Sequence, residues 1–105
     1  MKRGTIWLCD FGHPRGHEPG FQRPAVLVSV EEINRRALPV VLPVTRTRRG
    51  YATHIELERT LPVTSYVQCE LIRAVAGDRF LRQVGEVDPI DMLRIAKVLS
   101  RILGI

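Results

Sequence analysis

The residues best placed to do chemistry surround the stretch GFQRPAVLVSV, residues 20–30. Arg23 and Pro24 stand at the start of the apolar run 25–28, which is typical of a buried strand. An arginine held by a rigid strand can bind a phosphate bidentately, whereas an arginine at a sheet edge simply reaches solvent. The residue types alone leave both interpretations open.

A second group of candidates follows the apolar run PVVLPV and has the sequence TRTRRG, residues 45–50. The hydroxyl of Thr45 could hold a phosphate oxygen beside charged guanidinium groups. Arg46, Arg48 and Arg49 form a short basic cluster that ends at a glycine, which predicts a surface loop. If this loop contacts no ligand, its arginines only keep the surface solvated.

Histidines and cysteines supply the remaining reactive groups. His17 lies in the glycine- and proline-rich segment FGHPRGHEPGFQ, residues 11–22, where a loop histidine could act as a general acid or base. His54 opens a strand pattern and is interpreted as structural. Cys9 and Cys69 are far apart and are expected to be buried, reduced thiols. No CxxC or HExxH motif is present, so we expect no metal and no cofactor.

The composition describes the molecule that must position these groups. The chain of 105 residues fits one domain, residues 1–105, with a net charge of +5. That charge favours an anionic partner, which could be nucleic acid, an acidic peptide or a membrane surface. No apolar run is long enough to span a bilayer, and no signal peptide follows from the N-terminus. We therefore expect a cytoplasmic protein.

Hydrophobic patterning predicts a mainly β fold with one terminal helix. Strand patterns cover residues 4–10, 23–30, 39–45, 53–58, 65–75 and 82–87, and one helical turn is predicted at 31–36. Pro43 suggests an edge strand or a bulge. Asp88 and Pro89 are suited to begin a C-terminal helix, which Gly104 would end. These elements indicate a small barrel or rolled sheet with the helix packed on it.

Taken in order, several segments resemble the MazF/PemK toxins over nearly the whole chain: RGTIWLCDFG, GHEPGFQRPAVLVS, VVLPVTRT, THIEL and SYVQCELIRAV. The most specific parts are G-x-E-x-x-x-x-RP-x-V-x-V-S and P-V-T. The resemblance implies a homodimeric SH3-like β-barrel with an added C-terminal helix. It implies the toxin of a type II toxin–antitoxin module, a metal-independent, sequence-specific endoribonuclease of single-stranded RNA. It also implies a cognate antitoxin whose acidic, extended segment covers the RNA groove.

The same resemblance assigns roles to individual residues. The family's catalytic arginine falls on Arg23, its catalytic threonine on Thr45 and its loop glutamate on Glu18. It implies attack by the neighbouring 2′-hydroxyl, which gives a 2′,3′-cyclic phosphate and a 5′-hydroxyl. Arg23 would stabilise the phosphorane oxygens, and Thr45 would orient the scissile phosphate. His17 stands where many relatives carry a small polar residue, and is the candidate for an additional general acid or base.

RNA binding is expected from a wider set of residues: Glu18, Phe21, Gln22, Arg46, Arg48 and Arg49. Phe11 and Phe21 flank the loop and either stack on splayed bases or pack beneath the loop as core. Leu71 stands where many relatives carry a glutamine before IR, which bears on cleavage specificity. Two alternatives remain open at this point: a gyrase-poison type of toxin that binds a protein target, and a module that only binds RNA or an acidic peptide.

Overall fold

The computed structural model of the chain describes residues 1–18, 20–36 and 38–105. Its strands form one antiparallel sheet: β1 (Thr5–Asp10), β2 (Gln22–Leu27), β3 (Val40–Thr45), β4 (His54–Leu57), β5 (Ser65–Gln68), β6 (Arg73–Ala74) and β7 (Phe80–Glu86). Helix α1 spans Glu31–Arg36 and helix α2 spans Pro89–Leu103. Single 3-10 turns cover Cys69–Leu71 and Gly77–Arg79.

The strand order is β4-β5-β3-β2-β1-β7, with β6 beside the start of β3. Buried residues from five of these strands and from α2 share one core, so the sheet rolls around its own interior and α2 packs against it. Within the described residues the sheet is not closed, because β4 and β7 at its two ends each pair with one strand. The prediction of a mainly β fold with a C-terminal helix is confirmed, and the barrel is an open one.

Strand β2 is apolar on both faces, which explains its continuous hydrophobic run. Val26 lies in the main core, whereas Ala25 and Leu27 lie in a second core on the opposite face. The second core also contains Cys9, Phe11, Val41 and Val75, with Trp7 and Phe80 packed against it. A strand buried on both sides is rigid, and its exposed end at Gln22 therefore has a fixed position relative to the sheet.

The prediction of one strand over residues 65–75 was wrong. Strand β5 ends at Gln68, the 3-10 turn Cys69–Leu71 follows, and β6 is a separate short strand. Strand β3 is central rather than an edge, because it pairs with β2 on one side and with both β5 and β6 on the other. Pro43 lies between the β6 and β5 pairings, where its missing N–H removes no ladder hydrogen bond on that side.

Helix α2 begins and ends as its sequence predicts. The Asp88 side chain accepts a hydrogen bond from the Asp91 N–H at 2.8 Å, and Pro89 occupies the first turn. Gly104 ends the helix in the left-handed conformation, with φ of 69°. Met92 and Ile95 face the sheet and are buried. Neither this helix nor α1, in the part of the chain that is described, has the length and hydrophobicity of a membrane span.

Candidate functional site

Arg23 and Thr45 lie on neighbouring strands near one end of the sheet. Strands β2 and β3 pair antiparallel with Ala25 opposite Pro43. Continuing this register by two residues sets Arg23 across from Thr45, and residues opposite each other in an antiparallel pair share a face. Both residues are half-buried. The register therefore places the two residues that the sequence singled out for phosphate chemistry on adjacent strands and on the same face of the sheet.

Arg23 is oriented by the sheet, and it forms no ion pair with an acidic residue in the described part of the chain. It pairs with the buried Cys9 of β1, and its Nε donates a hydrogen bond to the Gly20 carbonyl at 3.2 Å. The ion pairs found among the described residues involve other groups: Lys2–Glu86, His54–Glu70 and Arg94–Asp91. Its guanidinium charge is therefore available to an anion, and the planar group can bind phosphate oxygens in a fork geometry.

The Thr45 hydroxyl is held in place by the chain that follows it. Its Oγ1 accepts a hydrogen bond from the Thr47 N–H at 3.2 Å. Because a hydroxyl both donates and accepts, the proton of this group stays available to a ligand oxygen. Thr45 is thus preorganised as a donor at the end of β3.

The basic segment after Thr45 is a surface loop, as predicted. Arg46, Arg48 and Arg49 are all exposed. Gly50 has a φ of 69°, a left-handed conformation that favours glycine. The loop places three positive charges beside the Arg23–Thr45 end of the sheet, with no acidic residue between positions 44 and 53.

A cleft of about 390 Å³ opens at this end of the barrel, and we call it the cationic cleft. Arg46 and Arg82 line it together with the polar side chains of Gln22 and Thr45. Its apolar wall includes Leu8, Pro24 and Val44 from three strands, and the segment 61–63 forms a lip. Among the described residues no acidic side chain lines it, so the cleft favours an anionic ligand with an apolar part.

A second cleft, called here the loop cleft, is lined by His17, Glu18, Glu70, Leu71, Ile72 and Arg73. His17 and Glu18 are exposed on a turn in which the Glu18 N–H donates to the Arg15 carbonyl at 3.1 Å. Neither Arg23 nor Thr45 lines this cleft. The predicted site residues therefore line two different clefts, with Gln22, Thr45 and Arg46 in the first and His17 and Glu18 in the second.

The sequence interpretation missed Glu70, whose carboxylate is held in place by two neighbouring side chains. His54 Nε2 lies 2.9 Å from Glu70 Oε2, and Thr53 Oγ1 donates to Glu70 Oε1 at 2.9 Å. Burial alone would raise the pKa of Glu70, but hydrogen bonds from His54, from the backbone and from Thr53 outweigh it and lower the pKa. The His54 side chain is only 3% exposed, which agrees with its interpretation as structural.

Arg82 was also missed by the sequence interpretation. The alternating pattern of RQVGEV, residues 82–87, predicts a strand that includes it. Arg82 and Val84 share a strand face because they are two residues apart, and both line the cationic cleft. No local pattern connects that strand with Thr45, because β7 reaches β3 through β1 and β2 in the described sheet.

The two phenylalanines that flank the loop differ. Phe11 is 5% exposed and belongs to the second core, with the Arg73 guanidinium 5.3 Å from its ring centroid. Phe21 is 60% exposed and adopts a φ of 58°, which is rare for a bulky residue. Its ring stands edge-to-face with His13 at 5.7 Å. Of these two rings, Phe11 belongs to the core and Phe21 is the one that a ligand can reach.

The two cysteines are buried free thiols, as predicted. Burial raises the pKa of both Cys9 and Cys69 to about 12, so neither is a nucleophile near neutral pH. In residues 1–18, 20–36 and 38–105 no group of three or more His, Cys, Asp or Glu side chains is placed to hold a metal ion.

Comparisons with known proteins extend over almost the whole chain. Residues 2–103 match the sequence profile of a family described as PemK-like, MazF-like toxin of type II toxin-antitoxin system. Endoribonuclease MazF9 of Mycobacterium tuberculosis is 35% identical, and the match covers 95% of this chain and 93% of the relative. Endoribonuclease PemK of Escherichia coli is 32% identical over 95% of this chain and 83% of the relative.

Solved structures show the same fold. MazF from Deinococcus radiodurans superposes with a TM-score of 0.90 at 25% identity, covering 100% of this chain and 97% of that one. A mycobacterial endoribonuclease in complex with its cognate antitoxin superposes with a TM-score of 0.84 at 29% identity, covering 100% and 96%.

Proposed function

The chain belongs to the PemK-like, MazF-like toxin family, and we propose that it is the toxin of a type II toxin–antitoxin module, a sequence-specific endoribonuclease of single-stranded RNA. The observation that carries the proposed site is the placement of Arg23 across from Thr45. An arginine without an acidic partner and an oriented hydroxyl can together hold one phosphate. The adjoining arginine loop supplies further positive charge for an RNA backbone.

Cleavage proceeds by transfer to the neighbouring 2′-hydroxyl. The 2′-oxygen bonds to phosphorus and loses its proton, the bond from phosphorus to the 5′-oxygen breaks, and that oxygen leaves as a hydroxyl after gaining a proton. The products are a 2′,3′-cyclic phosphate and a 5′-hydroxyl end. Arg23 stabilises the charge that builds on the phosphorane oxygens, and Thr45 orients the scissile phosphate by donating its hydroxyl proton. This route needs no metal ion.

The loop residues complete the proposed site. His17 acts as an additional general acid or base. Glu18 and Gln22 contact bases, and Phe21 stacks on one of them. Arg46, Arg48 and Arg49 contact phosphates without reading sequence.

A cognate antitoxin with an acidic, extended segment covers the same positively charged surface and blocks RNA. The toxin acts as a homodimer in the cytoplasm. The exposed apolar residues Ile90 and Leu93, each 72% exposed on α2, are available to such protein contacts.

The test is cleavage of one long single-stranded RNA in EDTA, with product ends mapped by sequencing, for wild type and for Arg23→Ala. We expect cuts at one short motif and a loss on the order of 100-fold or more in the variant, by analogy with removing one oxyanion donor. Intact RNA with a folded wild-type protein would contradict the nuclease activity. Wild-type cleavage by a folded Arg23→Ala variant would contradict the role of Arg23.

A further inference from the structure

We propose that the cationic cleft is a binding site for a small amphiphilic anion, a carboxylate or sulfonate carried on an apolar ring system. The apolar part of this ligand lies on the wall of the cleft, which is formed by Leu8, Pro24 and Val44. Arg46 and Arg82 form the rim of the cleft and hold the anionic group. The site goes beyond the proposed function, because ligand binding there requires no nuclease activity.

The wall is a part of the main core that the sheet leaves uncovered. Leu8 of β1 pairs with Pro24 of β2, and the β2–β3 register continues this row to Val44. Leu61 and Val84 also line the cleft and pack against the main core. All of these side chains except Val44 are half-buried. Apolar surface that the protein does not bury itself is favourable for an apolar ligand to cover.

The lip over the wall is held in place from two sides. The Ser65 hydroxyl donates a hydrogen bond to the Val63 carbonyl at 2.8 Å. A Cβ at Gly85 would stand 3.3 Å from the Leu61 side chain, so glycine gives Leu61 the room to pack against β7. Val63 itself is 47% exposed at the cleft. The cleft is therefore bounded by ordered contacts and is suited to hold a ligand.

The charge of the rim determines the sign of the ligand. Arg46 and Arg82 are both exposed, and neither belongs to an ion pair found among the described residues. The chain segments that contribute to the cleft contain no Asp or Glu: residues 5–9, 22–30, 38–55, 59–69 and 79–85. An anionic group is therefore attracted to the rim, and no neighbouring carboxylate in these segments opposes it.

The size of the cleft favours a small molecule over a macromolecule. Its volume of about 390 Å³ lies at the lower end of the range for small-ligand sites, roughly 300–1,000 Å³. An α-helix, about 10–12 Å across with its side chains, is too wide to reach the wall. An RNA backbone or a chain of glutamates can contact the rim but leaves the wall uncovered. An amphiphilic anion uses both.

The cleft does not include the arginine proposed for catalysis. Arg23 alternates with Gln22 and Pro24 along β2, so its side chain lies on the other face of the strand. Gln22 is exposed at the cleft, and its amide can donate a further hydrogen bond to the anionic group. A ligand in the cleft therefore engages the rim and Gln22 and leaves Arg23 free.

The first experiment measures binding of anilinonaphthalene sulfonate, an aromatic anion whose fluorescence rises in an apolar site. Its neutral counterpart, phenylnaphthylamine, has the same rings without the charge. We expect the folded wild-type protein to bind the sulfonate at one saturable site and about 10-fold more tightly than the amine, as for a hydrogen bond to a charged group. Equal affinity for the two probes would overturn the proposal.

The second experiment assigns the charge preference to the rim. Arg82→Ala should weaken binding of the sulfonate about 10-fold and leave binding of phenylnaphthylamine unchanged, because only the sulfonate uses the guanidinium group. Arg101→Ala is the matched control, since it removes an exposed arginine from the last turn of α2. It should bind both probes as wild type does. Equal behaviour of the two variants would overturn the site.

The third experiment assigns the apolar contact to the wall. Val63→Trp fills the cleft from an exposed position and should abolish binding of both probes. The rival location is the apolar groove along α2 that Ala96, Leu99 and Leu103 help to line. Ala96→Trp fills that groove and should leave binding of both probes unchanged. Binding that is lost in Ala96→Trp and kept in Val63→Trp would place the probes on α2 and overturn the inference.

The macromolecular alternatives are tested with an oligoglutamate peptide and with a fully 2′-O-methylated single-stranded RNA, which cannot be cleaved by 2′-hydroxyl attack. We expect Val63→Trp to bind both as wild type does, because neither needs the wall. If Val63→Trp loses either polymer as strongly as it loses the sulfonate, the wall belongs to that polymer and the inference is overturned. None of these measurements involves cleavage, so failure of the nuclease activity and failure of the site are distinguishable.

Discussion

The cationic cleft and the loop cleft lie on opposite faces of β2 and have opposite chemistry. Gln22 and Pro24 face the first. The second is lined by Arg73, which stacks on Phe11 in the core on the other face. The cationic cleft has two arginines and no carboxylate, whereas the loop cleft sets one arginine against the carboxylates of Glu18 and Glu70.

This difference in charge suits the two clefts to two tasks, phosphate binding and base binding, which the sequence motif does not distinguish. A phosphate backbone is attracted to the cationic cleft and repelled by carboxylates. A carboxylate instead accepts hydrogen bonds from base amino groups, so the loop cleft is suited to base edges. Arg23 alternates with Gln22 and Pro24 along β2, so its side chain lies on the same face of the strand as the loop cleft. Variants in the two clefts can test whether the loop cleft takes part in the chemistry or only binds RNA.

The largest effect is expected from His17→Ala. If His17 transfers a proton, kcat should fall about 100-fold, and one limb of the pH–rate profile should disappear. His13→Ala, in the same loop, is the matched control and should keep the profile. An unchanged profile with a raised KM would assign the whole loop cleft to binding and contradict the acid–base role.

The next effect comes from Arg46, Arg48 and Arg49 replaced together by Ala. We expect the salt slope of RNA binding to fall by about 2, because each lost phosphate contact on a single strand removes about 0.7. Arg35, Arg36 and Arg101 replaced by Ala remove the same charge elsewhere and should leave the slope unchanged. Glu18→Gln, which acts in the other cleft, should not lower the slope. A slope unaffected by the loop triple variant would make these arginines a solvated turn.

Phe21→Gly should separate stability from binding. The left-handed backbone costs a bulky residue about 1 kcal/mol, and glycine removes that cost. The exposed ring packs in neither core, so we expect a stability gain of about that size by urea unfolding, together with about 10-fold weaker RNA binding. Phe21→Tyr keeps the ring and should bind RNA as wild type does. A loss of stability in Phe21→Gly would show that the ring packs structurally.

The smallest effect concerns Glu70 and acid stability. Its folded pKa lies below the ordinary 4.5, so it contributes stability that is present above about pH 4.5 and is lost as the pH falls through the folded pKa. Because Glu70 is exposed and solvent screens its charge, Glu70→Gln should cost less than about 1 kcal/mol at neutral pH and still less in acid, measured by urea unfolding. Glu58→Gln, at an exposed residue, is the control. A pH-independent difference would contradict the stabilised carboxylate.

Much of the fold was predictable because its signals are local. The caps of α2, the loop after Thr45 and the strand after Arg23 all follow from neighbouring residue types. The break between β5 and β6 was not, because SYVQCELIRAV keeps a strand-like pattern while its partner on β3 changes. That change is a tertiary event with no local signature.

The candidate site likewise contains some residues that local patterns predict and others that depend on tertiary pairing. Arg23 and Thr45 were identified through motifs at the ends of two adjacent strands, and one antiparallel register connects them. The position of His17 in the loop cleft depends on how the segment 11–18 packs on the turn before β6, which lies far away in the sequence. Arg82 depends on the pairing of β7 with β1, in which the register shifts twice between Ile6 and Cys9. No local pattern specifies such shifts.

The pairing of β1 with β7 also determines when the protein can fold during synthesis. Thr5 pairs with Glu86 and Cys9 with Phe80. Strand β1 is synthesised first, so it cannot form this pairing until β7, the last strand, has been synthesised. Such a high contact order slows folding, because a long loop must close before the pairing stabilises it. A ribosome-bound chain that lacks β7 has neither a complete sheet nor the Arg82 side of the cleft. Truncated or stalled translation products are therefore expected to lack nuclease activity.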